Sequence, residues 1–315
     1  MRQYDFLQLD VFTDRVFHGN PLAVFPEAEG LTDEEMQKIA REMNLSETVF
    51  VLPPRDDVSL KRLRIFTPMI ELPIAGHPVV GTWNALARAG GLVPVPEGGS
   101  GWTRVHQELG VGILPVDIEF EDGEPRQVVM TQGAFLTHNE VDDMGERAEI
   151  ERALGLAPED LDESLPIEVV STGLPILVVP VRSLAGLGRI RMSASLLAEA
   201  YTRAGAALCY AFTRETREGS PSQAHARSFV PDAGVAEDPA TGAAAGPLAA
   251  YLVKHGALNI EADDEGVFRF RIEQGDFMER PSRINVQVRR GEEAAIEEVR
   301  VGGAAVMVAR GSLMF

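Results

Sequence analysis

The stretch RIFTPMIELPIAGHPVVGTWNALARAGGL, Arg64 to Leu92, decides the fold once it is set beside RSFVPDAGVAEDPATGAAAGPLAAYLVKHGAL, Arg227 to Leu258. Both open Arg-x-Phe-x-Pro, through Phe66 and Pro68 in one and Phe229 and Pro231 in the other. Both then reach a glycine, Gly76 or Gly242. From there they stay in step: Leu86 with Leu252, Gly90 with Gly256, Leu92 with Leu258, every pair 166 residues apart (242 less 76). The second loop is three residues longer before its glycine. This is a divergent internal duplication.

Each copy reads as strand, loop, glycine, then a small-residue helix of about three turns that stops at a glycine. Pro78 falls in the first turn, where its missing N–H costs nothing. Pro247 falls later, so the second helix is expected to start a residue or two after Gly242. Both helices are rich in Ala, Val and Leu with few charges, the composition of a helix buried on most sides. The free N–H groups and positive dipole end of such a helix favour a carboxylate or phosphate. Glycines at these places also serve simply to let helix and strand pack closely. Polar residues at the loop in both copies favour a site, with one ligand held between two lobes.

The duplication extends outward. GNPLAVFP (Gly19–Pro26) matches GLPILVVP (Gly173–Pro180) in its glycine and both prolines at an offset of 154 residues (173 less 19). Asn20 has no counterpart, since Leu174 replaces it. Gly-Asn either shapes the turn expected around residues 18–21 or keeps a role of its own. LTDEEMQKIAREMN, residues 31–44, is an amphipathic helix with a Thr32/Glu35 capping box and a stripe of Met36, Ile39, Ala40 and Met43. ASLLAEAYTRAG, residues 194–205, is its equivalent. Each precedes a strand, SETVFVLP and ALCYAFTR. The order of elements is the same in both halves, and mixed strands with one central helix per half point to α+β.

The remaining chain carries less. Residues 93–125 and QVVMTQGAF give short strands, and FRFRIEQG, RINVQVRR and EEVRVGGAAVMVARGSL give three more near the end, with Gly302-Gly303 expected as a turn or bulge. Residues 139–164 are strongly acidic and read as a solvated excursion with a short helix at 145–154. Two lobes are expected, 1–118 and 119–299, with residues 300–315 returning to complete the first.

The formal net charge of −19 argues against nucleic acid or an anionic membrane as partner. No run is apolar enough to span a membrane, and the N-terminus lacks a signal-peptide pattern, so a cytoplasmic location is the default expectation. One cysteine, Cys209, excludes a disulfide framework and a thiolate metal cluster. No Walker loop or dinucleotide fingerprint occurs, and the six histidines show no metal-ligand spacing. His255 reads as a helix C-terminal cation and His225 as a strand residue. His77, beside Gly76 at a helix start, is expected neutral, because a positive charge is disfavoured at the positive dipole end. Glu47, between a helix end and an apolar strand, reads from its place alone as a solvated charge, since Glu is rarely buried.

NLSETVF (44–50), the Arg64–Leu92 stretch, HARSFVPDAGVAEDPATGAAAGPLAAYL (225–252), QGDFMERPSRINVQV (274–288) and VGGAAVMVARG (301–311) together resemble the PhzF-like family, the phenazine-biosynthesis isomerases and their relatives. The resemblance covers nearly the whole chain. It implies the diaminopimelate epimerase-like fold: two pseudo-symmetric lobes, each a sheet wrapped around a central helix, with the site in the cleft, and by resemblance alone a homodimer. It implies that Glu47 is the catalytic acid/base, against the solvated reading, and that His77 and Asp238 are polar active-site residues. Gly76, Gly242 and their neighbours, Thr241 and Ala243 with Asn20, are implied to bind substrate, the backbone donors holding its carboxylate. The family's phenazine branch usually has Ser where this chain has Ala243, and tends to have Asn where it has Ile70. In the epimerase relatives paired thiols occupy the two loops, where this chain has Ala75 and Pro239, so two-thiol racemisation is excluded.

A Glu in a dry cleft can move a proton near neutral pH, and a carboxylate docked on a helix end orients the carbon acid. That suits a cofactor-free isomerase acting on a small carboxylate-bearing amino or hydroxy acid, with no metal or nucleotide. Two alternatives stand beside it. One is an amino-acid epimerase or racemase using carboxyl groups, with Asp238 as second base. The other is a non-enzymatic protein binding a ligand or partner on the same fold.

Overall fold

Thr32 Oγ1 accepts from the Glu35 N–H at 3.3 Å, and Glu35 Oε2 accepts from the Thr32 N–H at 3.0 Å, so the chain turns into its first helix at Asp33 as the capping box requires. This computed structural model describes residues 1–232 and 234–315. Two compact units emerge: Met1–Thr131 with Gly302–Phe315, and Gln132–Val301. The break falls after Thr131 and not at 118/119, because the strand beginning at Gly112 continues to Glu121 and the strand Glu124–Thr131 pairs back on it.

In the first unit β1 (Gln3–Val11) pairs antiparallel with β2 (Asn20–Phe25). Helix α1 (Asp33–Met43) leads to β3 (Glu47–Leu52), parallel to β2 with Glu47 opposite Leu22. β4 (Lys61–Phe66) returns antiparallel to β3, and the short β5 (Glu71–Leu72) folds back on β4 before α2 (Gly76–Ala89). β6 (Gly101–Leu109) runs parallel to β4, followed by the antiparallel β7 (Gly112–Glu121) and β8 (Glu124–Thr131). The chain's last strand, Ala305–Met314, pairs antiparallel with β1 in this unit.

The second unit holds β9 (Leu136–Glu140), α3 (Met144–Leu154), β10 (Glu168–Ser171), β11 (Pro175–Pro180), α4 (Leu184–Arg189) and α5 (Ala194–Ala204). It continues with β12 (Leu208–Thr213), β13 (Ala224–Val230), β14 (Val235–Asp238), α6 (Gly242–Lys254), β15 (Val267–Gln274) and β16 (Ser282–Arg290). β17 (Ile296–Gly303) then leads to the last strand, β18. The pairings repeat those of the first unit: β10 with β11 antiparallel, β11 with β12 parallel, β12 with β13 antiparallel, β13 with β14 antiparallel, β13 with β15 parallel, β15 with β16 antiparallel. β9 lies on β10 as β18 lies on β1. The duplication is thus one α+β unit built twice.

In each unit one face of the sheet packs on the central helix. α2 is buried from Gly76 to Ala87, and α6 is buried from Gly242 to Val253 apart from a half-exposed Ala243. Small residues permit that approach: a Cβ on Gly81 would lie 2.6 Å from Leu22 Cδ2 and from Val11 Cγ2. The other face carries the amphipathic helices, α1 over Phe25, Phe50 and Phe66, and α3 with α5 over Val169, Leu177 and Phe229.

Several expectations are corrected. The acidic 139–164 segment is no solvated excursion, since Ile150, Ala153 and Leu154 of α3 join the core and the buried Asp160 is ion-paired with Arg189. Gly302 and Gly303 lie inside β17, where a Cβ on Gly302 would meet Val128 O at 2.4 Å; close approach and not a turn requires the glycine. Helix α6 starts at Gly242 itself and keeps Pro247 inside it. Asn20 belongs to β2 and not to the preceding turn. Among the described residues no helix is long and apolar enough to cross a membrane.

Candidate active site

In the first unit α1 ends at Asn44, whose left-handed conformation (φ +51°) turns the chain sharply into β3. Glu47 is therefore the first strand residue, and its side chain is only 17% exposed, so the solvated reading fails. His77 is the second residue of α2, and its Nε2 lies 3.2 Å from Glu47 Oε2. Burial pushes the His77 imidazole down to about 3, so the ring is neutral. The neutrality expected from the helix dipole is present, but desolvation is its main cause.

Asn20 is wholly buried opposite Val11, and its Oδ1 accepts from Ser46 Oγ at 3.0 Å, which ties β2 to the residue preceding Glu47. The approach needs Gly19 (φ +64°), where a Cβ would lie 2.2 Å from Val11 O. Among the described residues, Ala75 offers α2 no side-chain cap. Pro78 has no N–H, so the N–H groups of Gly76 and His77 are those that precede the intrahelical ladder.

In the second unit Asp238 ends β14 and stands opposite Ser228, which stands opposite Tyr210. Cross-strand partners share a face, so Tyr210, Ser228 and Asp238 form one row. The Thr241 hydroxyl donates to Asp238 Oδ2 and does not cap α6. Thr241 O accepts from Ala244 N at 3.0 Å and Ala245 N at 2.9 Å, which leaves Gly242 and Ala243 N–H ahead of the ladder.

This loop is held by residues that sequence reasoning did not assign. Gln274, wholly buried, uses its complete bonding capacity. Its Oε1 accepts from Thr241 N at 3.1 Å and from Tyr210 Oη at 2.8 Å. Its Nε2 donates to Asp238 O at 2.7 Å and to Thr241 Oγ1 at 3.0 Å. Ser282 Oγ donates to Pro239 O at 2.8 Å, and Gly275 (φ +79°) passes so close that a Cβ would lie 2.5 Å from Pro239 O. QGDFMERPS is thus the bed on which the Asp238 loop rests. On the other side Gln132 Nε2 donates to Gly242 O at 2.9 Å while its Oε1 accepts from Thr172 Oγ1 at 2.6 Å. The QGDFMERPS match was the one available signal for Gln274, and Gln132 had none.

The structure therefore joins Glu47, His77 and Asn20 in one unit, with Gly76, and Asp238, Thr241, Gly242 and Ala243 in the other. Ile70 is exposed, and neither it nor Ala243 offers a polar side chain. Cys209 is buried in β12 within the outer core, where burial raises its thiol pKa. His225 pairs through Nδ1 with Glu273 Oε2 at 2.8 Å, near Asp276. Burial pushes the Glu273 carboxyl up, but the bonds from His225, Ser220 and the Arg217 N–H with the nearby Arg283 outweigh it and hold it at about 2. Arg283 lies 3.0 Å and Arg217 3.4 Å from Asp276, so two guanidinium groups already neutralise the carboxylates of this cluster.

The family model described as phenazine biosynthesis-like protein matches residues 9–311. The chain is 37% identical to an uncharacterized isomerase of Clostridium acetobutylicum, over 100% of this chain and 99% of that one. It is 34% identical to the trans-2,3-dihydro-3-hydroxyanthranilate isomerase of Pseudomonas aeruginosa, over 98% of this chain and 99% of that one. The crystal structure of the Bacillus anthracis phenazine biosynthesis protein, PhzF family, superposes with a TM-score of 0.86 at 31% identity, covering 100% of both chains. The diaminopimelate epimerase-like fold follows from the same likeness. With its family model, its isomerase relatives and its doubled α+β unit in agreement, the chain belongs to the PhzF family and is an isomerase.

Proposed function

We propose that the protein moves a proton between carbons of a small carboxylate-bearing amino or hydroxy acid, without a cofactor, and that Glu47 is the acid/base. The observation that carries this reading is Glu47 Oε2 at 3.2 Å from a buried His77 held neutral. An imidazolium at that distance would lock Glu47 as a carboxylate; a neutral ring does not, so the carboxyl can take a proton from one carbon and return it to another. Electrons of the broken C–H bond shift into the adjacent unsaturation, the double bond moves, and no atom is gained or lost.

The carboxylate is bound by backbone N–H groups ahead of a helix ladder, an arrangement that Gly76 with His77 offers and that Gly242 with Ala243 repeats. Asp238 accepts from the substrate's amino or hydroxyl group. The name of the Pseudomonas aeruginosa relative describes such a compound, with carboxylate, amino and hydroxyl groups on an unsaturated ring. Ala243 and Ile70 offer no side-chain hydrogen bond, which favours a related acid with fewer polar groups.

A single acid/base also fits the divergence of the two copies. The positions equivalent to Glu47 and His77 are Leu208, opposite Ile176 as Glu47 is opposite Leu22, and Ala243. The position equivalent to Asp238 is Leu72. No matched pair of bases survives, as epimerisation by two facing carboxyl groups would require. Incubation of candidate amino and hydroxy acids, trans-2,3-dihydro-3-hydroxyanthranilate among them, in deuterated water tests the reading. A double-bond isomer is expected, carrying up to one deuteron per turnover as the Glu47 carboxyl exchanges with solvent, and a product of inverted configuration at an unshifted carbon would refute it.

A further inference from the structure

The two copies keep a second feature in common. In the first unit Arg64 Nε and Nη2 donate to the two carboxylate oxygens of Glu71 at 2.7 and 2.6 Å, and its guanidinium carbon lies 5.1 Å from the ring centre of Phe66. In the second, Arg227 Nε and Nη2 donate to the two oxygens of Glu237 at 2.8 and 2.7 Å, with the guanidinium 5.1 Å from the ring of Phe229. The same three residue types make the same planar fork in each unit.

Their spacing shows what the fork fixes. Arg to Glu is seven residues in the first copy (64 to 71) and ten in the second (227 to 237). The three-residue insertion lies inside the fork. Glu to helix-start glycine is five residues in both (71 to 76, 237 to 242). The fork thus absorbs the variable loop and delivers a constant segment to the helix N-terminus.

Arg227 is the more enclosed of the two. Its Nη1 donates to Leu187 O at 2.9 Å and Ile190 O at 3.3 Å, carbonyls at the end of α4, and Phe277 lies 5.3 Å from its guanidinium as a second aromatic neighbour. Glu237 and Asp238 are adjacent in β14, so their side chains leave opposite faces. The fork holds Glu237 on one face while Gln274 and Thr241 hold Asp238 on the other.

We infer that each Arg–Glu fork positions the helix start that follows it: Arg64 and Glu71 set Gly76 and His77, and Arg227 and Glu237 set Asp238 and Gly242. Neither pair touches the reacting atoms. A fork requires the planar guanidinium; lysine keeps the charge but loses the second parallel bond and the stacking.

The test rests on the reading of Asp238 as the acceptor of a substrate amino group. Calorimetric titration of the full-length protein with 2-aminocyclohexanecarboxylate and with cyclohexanecarboxylate isolates that contact. The native protein is expected to prefer the amino acid by about tenfold, the effect of one charge-assisted hydrogen bond. Arg227→Lys brings the preference to within about twofold of unity with the deamino acid still bound, and Arg64→Lys leaves it at the native value. Glu237→Gln gives the same result as Arg227→Lys and serves if that variant does not fold. Equal weakening of both ligands by Arg227→Lys or Glu237→Gln, or an unchanged preference, overturns the inference. A native protein with no preference overturns the reading of Asp238 and this inference with it.

Discussion

Glu47 meets His77 at 3.2 Å because a strand start and a helix start converge, β3 opening directly after α1 and α2 opening at a glycine. The contact places a carboxyl beside an imidazole that burial keeps neutral.

That imidazole makes stability depend on pH. His77 titrates near its ordinary value of 6.5 when unfolded and at about 3 when folded. The unfolded chain therefore binds a proton that the folded one refuses, and stability falls as pH drops below 6.5, by up to about 1.4 kcal/mol per pH unit. Glu273 adds a second loss lower down: its contribution is complete above 4.5 and disappears as pH falls toward 2. Urea denaturation between pH 6.5 and 4.5 separates the two, because His77→Asn should flatten the slope in that window. An unchanged slope would show that the ring takes up its proton in the folded state.

Gln274 makes the Asp238 loop costly to disturb. Gln274→Leu strips partners from Thr241 N, Tyr210 Oη and Asp238 O together, at ~1–3 kcal/mol for each group left buried. We expect a total loss of about 3–5 kcal/mol, against about 1 kcal/mol for Tyr210→Phe, which removes a single donor. Equal, small losses for both variants would mean the loop is held by other contacts.

Gly81 lets α2 lie against β1 and β2. Gly81→Ala would drive a methyl into Leu22 and Val11, both wholly buried, and should cost about 1–3 kcal/mol. Thermal denaturation at the native melting temperature would argue that the sheet can move away from the helix.

The doubled architecture was legible because its anchors are glycines and prolines with fixed spacing: Gly19 and Gly173, Gly76 and Gly242, Gly90 and Gly256. Local chemistry also gave the Thr32 cap and the helix over Asp33–Met43. Features set by distant chain were not legible. The burial of Glu47 depends on α2 packing beside β3, and the core role of Ile150 and Leu154 depends on α5 facing α3. Gln274 acts on a loop 33 residues away, and no local pattern marks a glutamine for that work. Each fork was hidden by unequal loops, since Arg64 and Arg227 align at one offset and Glu71 and Glu237 at another.

The central claim is that Glu47 carries the proton, and the turnover of Glu47→Gln on the substrate identified by deuterium incorporation tests it most directly. The variant keeps the size of the side chain while removing the titratable group. Turnover lower by ~10²–10⁴ with substrate binding retained is the predicted result; turnover near that of the native protein would contradict the account.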